Sequence, residues 1–255
     1  MNKPLISIIM PALNEEANIV SAIDSVLSAL DNLQINGEVI VINDGSSDNT
    51  PFLVKEAIQR EISRVKMIEH DKPQGIGASF WDGVKAAQGE AVCLLPGDNE
   101  NDPYEILRYV KLLDDVDIIV PFVYNKEVRT AARNLLSYIY IFIINSTFGT
   151  FLNYTNGTVV YRKALLDALD HHGKGFFFQT DILIRLIRQG YLFSEVPYAL
   201  KKREKGTTKA LSFSSLLNVS GDYFRLIIDV YFKRLYLKEK SLDGTLSEKR
   251  YRKSD

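Results

Sequence analysis

The sequence predicts an α/β protein built on a mostly parallel sheet flanked by helices, with amphipathic helices at its C-terminal end. Three observations predict it. Over the first 120 residues short β-branched runs alternate with segments of helical period. The strand runs are continuously apolar rather than alternating, as strands covered on both faces are. The chain has 255 residues, 46% of them apolar, so it can bury a sizeable core without disulfides or a structural metal.

Residues 5–10, bounded by Pro4 and Pro11, form the first strand. Residues 15–30 follow as a helix with Ile19, Ala22, Ile23, Val26, Leu27 and Leu30 on one face. Residues 38–42 read as a strand and 48–62 as a helix with Pro51 in its first turn, where a missing N–H costs nothing. Strand 65–68, helix 75–87, strand 91–95, helix 102–113 and strand 116–120 continue the alternation; Asp102 is the expected cap and Pro103 the first helical residue. Beyond residue 120 the pattern breaks. Residues 129–151 read as one long, very apolar helix, then come strand 158–161, helix 178–189, strand 193–196 and a basic loop at 201–209. The segment 211–240 reads as amphipathic helix and 241–255 as a polar, basic, disordered tail, leaving 1–210 as the main domain.

Composition excludes several classes. The formal net charge of −1 argues against a uniformly basic nucleic-acid binder. A single cysteine, Cys93, excludes a disulfide framework and fits a reducing compartment. His70, His171 and His172 form no zinc spacing with it, and the His-His pair reads as a loop. The N-terminal apolar run is too short for a signal peptide, and no apolar stretch reaches membrane-spanning length. The expectation is a cytoplasmic protein.

In parallel sheets ligands bind beyond the carboxyl ends of the strands, and three polar loops fall there: Asn14-Glu15-Glu16, Asn43-Asp44-Gly45-Ser46-Ser47-Asp48 and Gly97-Asp98-Asn99-Glu100. Asp44, an acceptor-only carboxylate, suits N–H donors on a nucleobase edge, and the serines after it can cap the next helix. Asp98 and Glu100, two residues apart in a loop, suit Mg2+ or Mn2+ shared with substrate phosphates. Gly75-Ile-Gly77 lacks the third glycine and the position of a dinucleotide fingerprint; it reads as a helix start close to the sheet, with Gly75 backbone near a nucleotide. Arg129 and Arg133, four apart on one helix face, and the loop carrying Arg203 and Lys209 suit two phosphates.

Taken together, Pro11-Ala12-Leu-Asn14-Glu15, Asn43-Asp44-Gly45-Ser46-Ser47-Asp48-Asn-Thr50 and Gly75-x-Gly77-x-x-x-x-x-Gly83 resemble family 2 glycosyltransferases of the GT-A (Rossmann-like) fold. Asn153-Tyr-Thr155-Asn-Gly157, Phe178-Gln179-Thr-Asp181, Glu195-Val196-Pro197 and Arg203-x-x-Gly206-x-Thr208-Lys209 resemble the dolichyl- and polyprenyl-phosphate sugar transferase branch, which includes dolichol-phosphate mannosyltransferase. The resemblance implies that Pro11, Ala12, Asn14, Glu15 and Asp44 hold the nucleoside of a nucleotide-diphosphate sugar, and that Asp98 and Glu100 bind the metal. It places Gln179 and Asp181 at the sugar and acceptor, with Arg129, Arg133, Arg203 and Lys209 on phosphates. Three positions depart from the pattern: Pro96 replaces the first aspartate of Asp-x-Asp, Asn43 the first acidic residue of the Asp-Asp-Gly-Ser motif, and Asn153 the aspartate before Thr155.

The implied reaction is an inverting transfer from a nucleotide-diphosphate sugar to a polyprenyl phosphate at the cytoplasmic membrane face, with a divalent ion stabilising the leaving diphosphate. Arg203 and Lys209 would close over it. The alternatives are a family 2 enzyme acting on a sugar hydroxyl, with Asp181 as base, and an inactive nucleotide-binding scaffold. A membrane role has its own support in the sequence. Residues 201–255 carry 14 Lys and Arg against 7 Asp and Glu. Interleaved with aromatics, these suit an anionic surface. The competing reading of the apolar helices is core plus a homodimer contact.

Overall fold

The computed structural model describes residues 5–170, 172–200, 213–233 and 246–247. It is an α/β protein with seven strands, mostly parallel. The chain divides into two compact units, Met1–Val110 with Val160–Lys174, and Lys111–Val159 with Gly175–Asp255.

The first unit holds β1 (Ile6–Ala12), α1 (Ile19–Asn32), β2 (Gly37–Asn43), α2 (Thr50–Arg60), β3 (Val65–Glu69), α3 (Ile76–Ala86), β4 (Ala91–Leu94), α4 (Pro103–Leu107), β6 (Val160–Arg162) and α6 (Lys163–Asp167). Its strands run in the order β3-β2-β1-β4-β6. The first four are parallel, and β6 is antiparallel to β4. Every residue of β2 is buried, as its unbroken apolar run requires. Helix α1 buries the apolar face read from the sequence but begins at Ile19, because residues 13–16 turn to meet the loop after β2. Asp102 caps α4 through Tyr104 N at 3.0 Å, with Pro103 next, as expected. The expected helix at 102–113 is split: α4 ends at Leu107 and a 3-10 turn covers Val110–Asp114.

The second unit holds β5 (Ile118–Val123), α5 (Ala131–Phe148), α7 (Phe178–Arg188), β7 (Phe193–Tyr198) and α8 (Phe213–Ile227), which continues as a π-helical turn at Ile228–Phe232. Strands β5 and β7 are parallel. Helix α5 is shorter than the sequence suggested. Lys126–Val128 is a 3-10 turn, Arg129 is extended, and Thr130 caps the helix by accepting from Arg133 N. Gly149 ends the helix in the left-handed conformation. The end of α8 and its continuation pack inward through Leu226, Asp229 and Val230. Residues 246–247, within the expected disordered tail, are helical, with Ser247 buried, and are held just before β5: the fully buried Asp117 carboxylate accepts from Leu246 N (3.0 Å), Ser247 N (3.2 Å) and the Ser247 hydroxyl. Among the described residues no helix is long and apolar enough to cross a membrane.

Candidate functional site

In the first unit the carboxyl ends of β1, β2 and β4 are tied into one rim. Asp44 N donates to Ala12 O at 2.9 Å and Gly97 N to Pro11 O at 3.0 Å, so the loops after β2 and β4 both hang on β1. Asn14, in the left-handed region at φ 58°, accepts from Ser47 N at 2.8 Å, while its own N–H donates to Ser46 Oγ at 3.0 Å. Glu15 N donates to Thr50 Oγ1 at 2.8 Å, and Glu16 and Asp48 exchange bonds with each other's loops. Ser46 and Ser47 therefore clasp the first loop rather than cap α2. The side chain that meets the first helical N–H is Asp48, one residue before the Asn49 cap position, whose Oδ1 accepts from Thr50 N at 3.0 Å. Partial burial raises the Asp48 pKa, but bonds from Thr50 and from the Glu16 amide outweigh it and hold the carboxyl below its ordinary value.

Asp44 is the hub of this rim. Buried to 5% exposure, it accepts from Gln74 N (2.8 Å), Gly75 N (2.9 Å) and His70 Nδ1 (2.7 Å). Gly45, at φ 72°, lies so close to Lys72 and Pro73 that a Cβ would sit 2.7 Å from backbone. Gly77 serves a different approach: a Cβ there would meet Gly173 O at 2.5 Å, and its N–H donates to Lys174 O at 3.1 Å. The Gly-x-Gly spacing is thus explained by a loop and a returning segment packed on the start of α3. The same returning segment places His172 on Trp81, ring centroids 4.1 Å apart.

Asp98 and Glu100 stand half-buried after β4, with Glu100 N donating to Asp98 Oδ1 at 3.1 Å and Asn99 at φ 57°. The turn brings two hard-oxygen side chains onto one short loop, which fits Mg2+ or Mn2+. Among the described residues no group of three or more His, Cys, Asp and Glu could hold a metal alone. A metal here needs substrate oxygens.

In the second unit, Arg129 and Arg133 are separated rather than aligned, because Thr130 begins the helix between them. Arg133 is exposed on the first turn. Arg129 turns onto the Tyr154 ring at 5.5 Å, and its Nε is buried without a hydrogen bond. Arg129, but not Arg133, lines a cleft open to solvent, together with Lys126, Asn134, Tyr138, Asn153 and Tyr154. Lys126 lies over the Tyr138 ring at 4.4 Å and donates to its hydroxyl. Asn153, one of the departures, donates from its backbone N (2.7 Å) and from Nδ2 (3.0 Å) to the two oxygens of Glu195. An aspartate there would set two carboxylates face to face.

Thr180 joins the two acceptor-side motifs, bonded to Thr155 Oγ1 and Asn156 Oδ1 at 2.9 Å each and to the Tyr140 hydroxyl at 2.7 Å. Burial pushes the Tyr140 phenol up to about 12. Gln179 and Asp181 sit beside Thr180 on α7, both buried. Asp181 is committed elsewhere: its oxygens accept from Arg185 Nε at 2.7 Å and Nη2 at 3.0 Å, and Arg185 also reaches Asp229 at 2.7 Å. The carboxylate expected as a base is half of a buried ion pair and would have to leave a guanidinium to take a proton. Arg203 and Lys209 lie outside the described residues, as does His171. Sequence reasoning missed His70, Lys126, Tyr154 and Arg185. Only Arg185, four residues after Asp181, carried a local signal.

A model of the family described as "Glycosyl transferase family 2" matches residues 7–170. Among solved structures, glucosyl-3-phosphoglycerate synthase from Mycobacterium tuberculosis in complex with UDP is similar at TM-score 0.66 and 20% identity, covering 89% of this chain and 79% of that one. The same enzyme with Mn2+, UDP-glucose and phosphoglyceric acid gives 0.65 at 20% identity over 89% and 79%. A further mycobacterial protein gives 0.67 at 20% identity over 88% and 75%. At this identity the likeness speaks to the fold.

Proposed function

The chain belongs to glycosyl transferase family 2, and from that premise we propose that it moves a sugar from a nucleoside-diphosphate sugar to the hydroxyl of a small acceptor that carries an anionic group. The observation that carries the donor half is the rim of the first unit, where Asp44, Asp98 and Glu100 are gathered on loops bonded to one strand. Mg2+ or Mn2+ held by Asp98 and Glu100 with the diphosphate would supply charge neutralisation as the leaving group departs. The mycobacterial synthase crystallised with Mn2+ and with Mg2+ supports that metal class. The acceptor half rests on the Lys126–Arg129 cleft, where two cations have no carboxylate partner among the described residues and aromatic rings form part of the wall. The cations hold the acceptor's anion and the amides of Asn134 and Asn153 suit its hydroxyls. Phosphoglyceric acid, bound by the synthase above, is an acceptor of this chemistry.

One observation favours a second reading, transfer to a polyprenyl phosphate by a protein peripheral on the cytoplasmic membrane face. Leu135, Leu136, Ile139, Phe142 and Ile143 of α5 are 44–71% exposed, an apolar surface beside the same cations that would suit a lipid interface.

The test supplies the purified chain with Mn2+ or Mg2+, a panel of nucleotide sugars, and either hydroxy-acid and sugar phosphates or polyprenyl phosphate in vesicles. Turnover with the soluble phosphates and a raised acceptor KM in Arg129→Ala are expected. Turnover restricted to polyprenyl phosphate selects the second reading. Removal of metal by EDTA, or Asp98→Ala, is expected to lower kcat at least about a hundredfold; full turnover of Asp98→Ala rejects the metal assignment.

A further inference from the structure

The Asp44 carboxylate is nearly spent before any ligand arrives, and how it is spent limits what it can read. A carboxylate offers about four acceptor positions. Oδ1 accepts from both His70 Nδ1 (2.7 Å) and Gln74 N (2.8 Å), and Oδ2 accepts from Gly75 N (2.9 Å). One position is left, on Oδ2. His70 is what saturates Oδ1, and its backbone N–H pairs with Asn43 O at 2.9 Å, while its Nε2, buried without a hydrogen bond, lies 3.3 Å from Asp82 Oδ2 on α3. The imidazole is buried with 6% of its side chain exposed, so it cannot swing away to release Oδ1. The loop it anchors is pressed onto Gly45, with no room for a Cβ between them.

We propose that His70 is a positioning residue that sets the base preference of the donor site, so that the site takes nucleoside diphosphates whose base presents a single imide N–H, the uracil and thymine class. The inference rests on the donor reading above, in which Asp44 meets the base. Guanine presents two adjacent N–H donors and finds one acceptor position, which strands a donor. Cytosine and adenine present an amino group beside a ring nitrogen whose lone pair would face the carboxylate. Stranding or opposing one such group is enough to discriminate strongly, since a buried polar group without a partner loses its hydration for nothing.

Calorimetric titration of the full chain with UDP, dTDP, GDP, CDP and ADP, each with Mg2+, tests this. UDP and dTDP are expected to bind at least about tenfold more tightly than the other three. His70→Ala, which returns an acceptor position on Oδ1, is expected to narrow the UDP-to-GDP ratio severalfold. Asp82→Asn, which keeps the imidazole and its bond to Oδ1, is expected to leave the ratio unchanged. GDP binding as tightly as UDP to the unaltered protein overturns the inference and leaves the donor reading standing. Failure of all five to bind overturns both. An unchanged ratio in folded His70→Ala, or a narrowing as large in Asp82→Asn as in His70→Ala, overturns the role of His70.

Discussion

At the scale of single residues, the departures from the family pattern are accommodated by specific partners. Asn153 donates twice to Glu195, so Asn153→Asp should oppose two carboxylates; at this exposed position the cost is at most about 1 kcal/mol, read as a slightly lowered denaturation midpoint, with a raised acceptor KM. Asn43 keeps the turn because its Oδ1 accepts from Ser46 N at 3.2 Å, a bond aspartate would also make. Glu38 is a residue whose importance no motif announced. Buried at the start of β2, it accepts from Ser7 Oγ, Lys66 Nζ and Gln88 N. Burial works to raise its pKa, but these bonds prevail and hold it below the usual 4.5. A folded-state pKa below the unfolded one contributes stability above the unfolded value that is lost as pH falls through the folded one. Thermal unfolding followed downward from about pH 5 should therefore drop more steeply in the unaltered protein than in Glu38→Gln.

At the scale of elements, apolar period found the helices and strands, while hydrogen bonds between distant loops set their ends. Helix α1 starts four residues late because Glu15 N is taken by Thr50, 35 positions away. Thr130, invisible to a reading of apolar period, starts α5 and sends Arg129 to Tyr154 and Arg133 to the surface. Helix α7 shows the opposite economy: Arg185 serves Asp181 on its own helix and Asp229 beyond α8. Burial works to lower the guanidinium pKa, but the two carboxylates hold it above its ordinary value. Arg185→Met should leave the buried Asp181 without its cation, while Asp229 keeps Lys233 at 2.8 Å, and destabilise by roughly 3–5 kcal/mol in denaturant titration. The tail segment is held the same way. Truncation before residue 246 strips the fully buried Asp117 of three donors and should cost roughly 1–3 kcal/mol, with Ser247→Ala reproducing part of the loss.

At the scale of the whole molecule, the net charge of −1 conceals an asymmetry, since the last 55 residues carry twice as many basic as acidic side chains. If the exposed face of α5 and this basic end meet a membrane, flotation with anionic vesicles should capture the protein at low salt and release it at high salt. Flotation unaffected by vesicle charge would count against the second reading. The fold class and the acidic rim after β1, β2 and β4 were legible in the amino-acid order alone. Strand burial and loop position follow from local pattern, because a doubly covered parallel strand is apolar along its length and its carboxyl end must turn. Which carboxylates remain available to a ligand was not legible. Asp44 and Asp181 look alike as isolated acidic residues, yet Asp44 keeps one acceptor position while both oxygens of Asp181 are held by Arg185. For Asp44 this was decided by tertiary structure, because His70 and Gln74 are brought from 26 and 30 positions away and no local spacing encodes a hydrogen bond of that range. For Asp181 the partner Arg185 lies four residues on, and what tertiary structure added is the burial of that pair and its link to Asp229, 44 positions from Arg185.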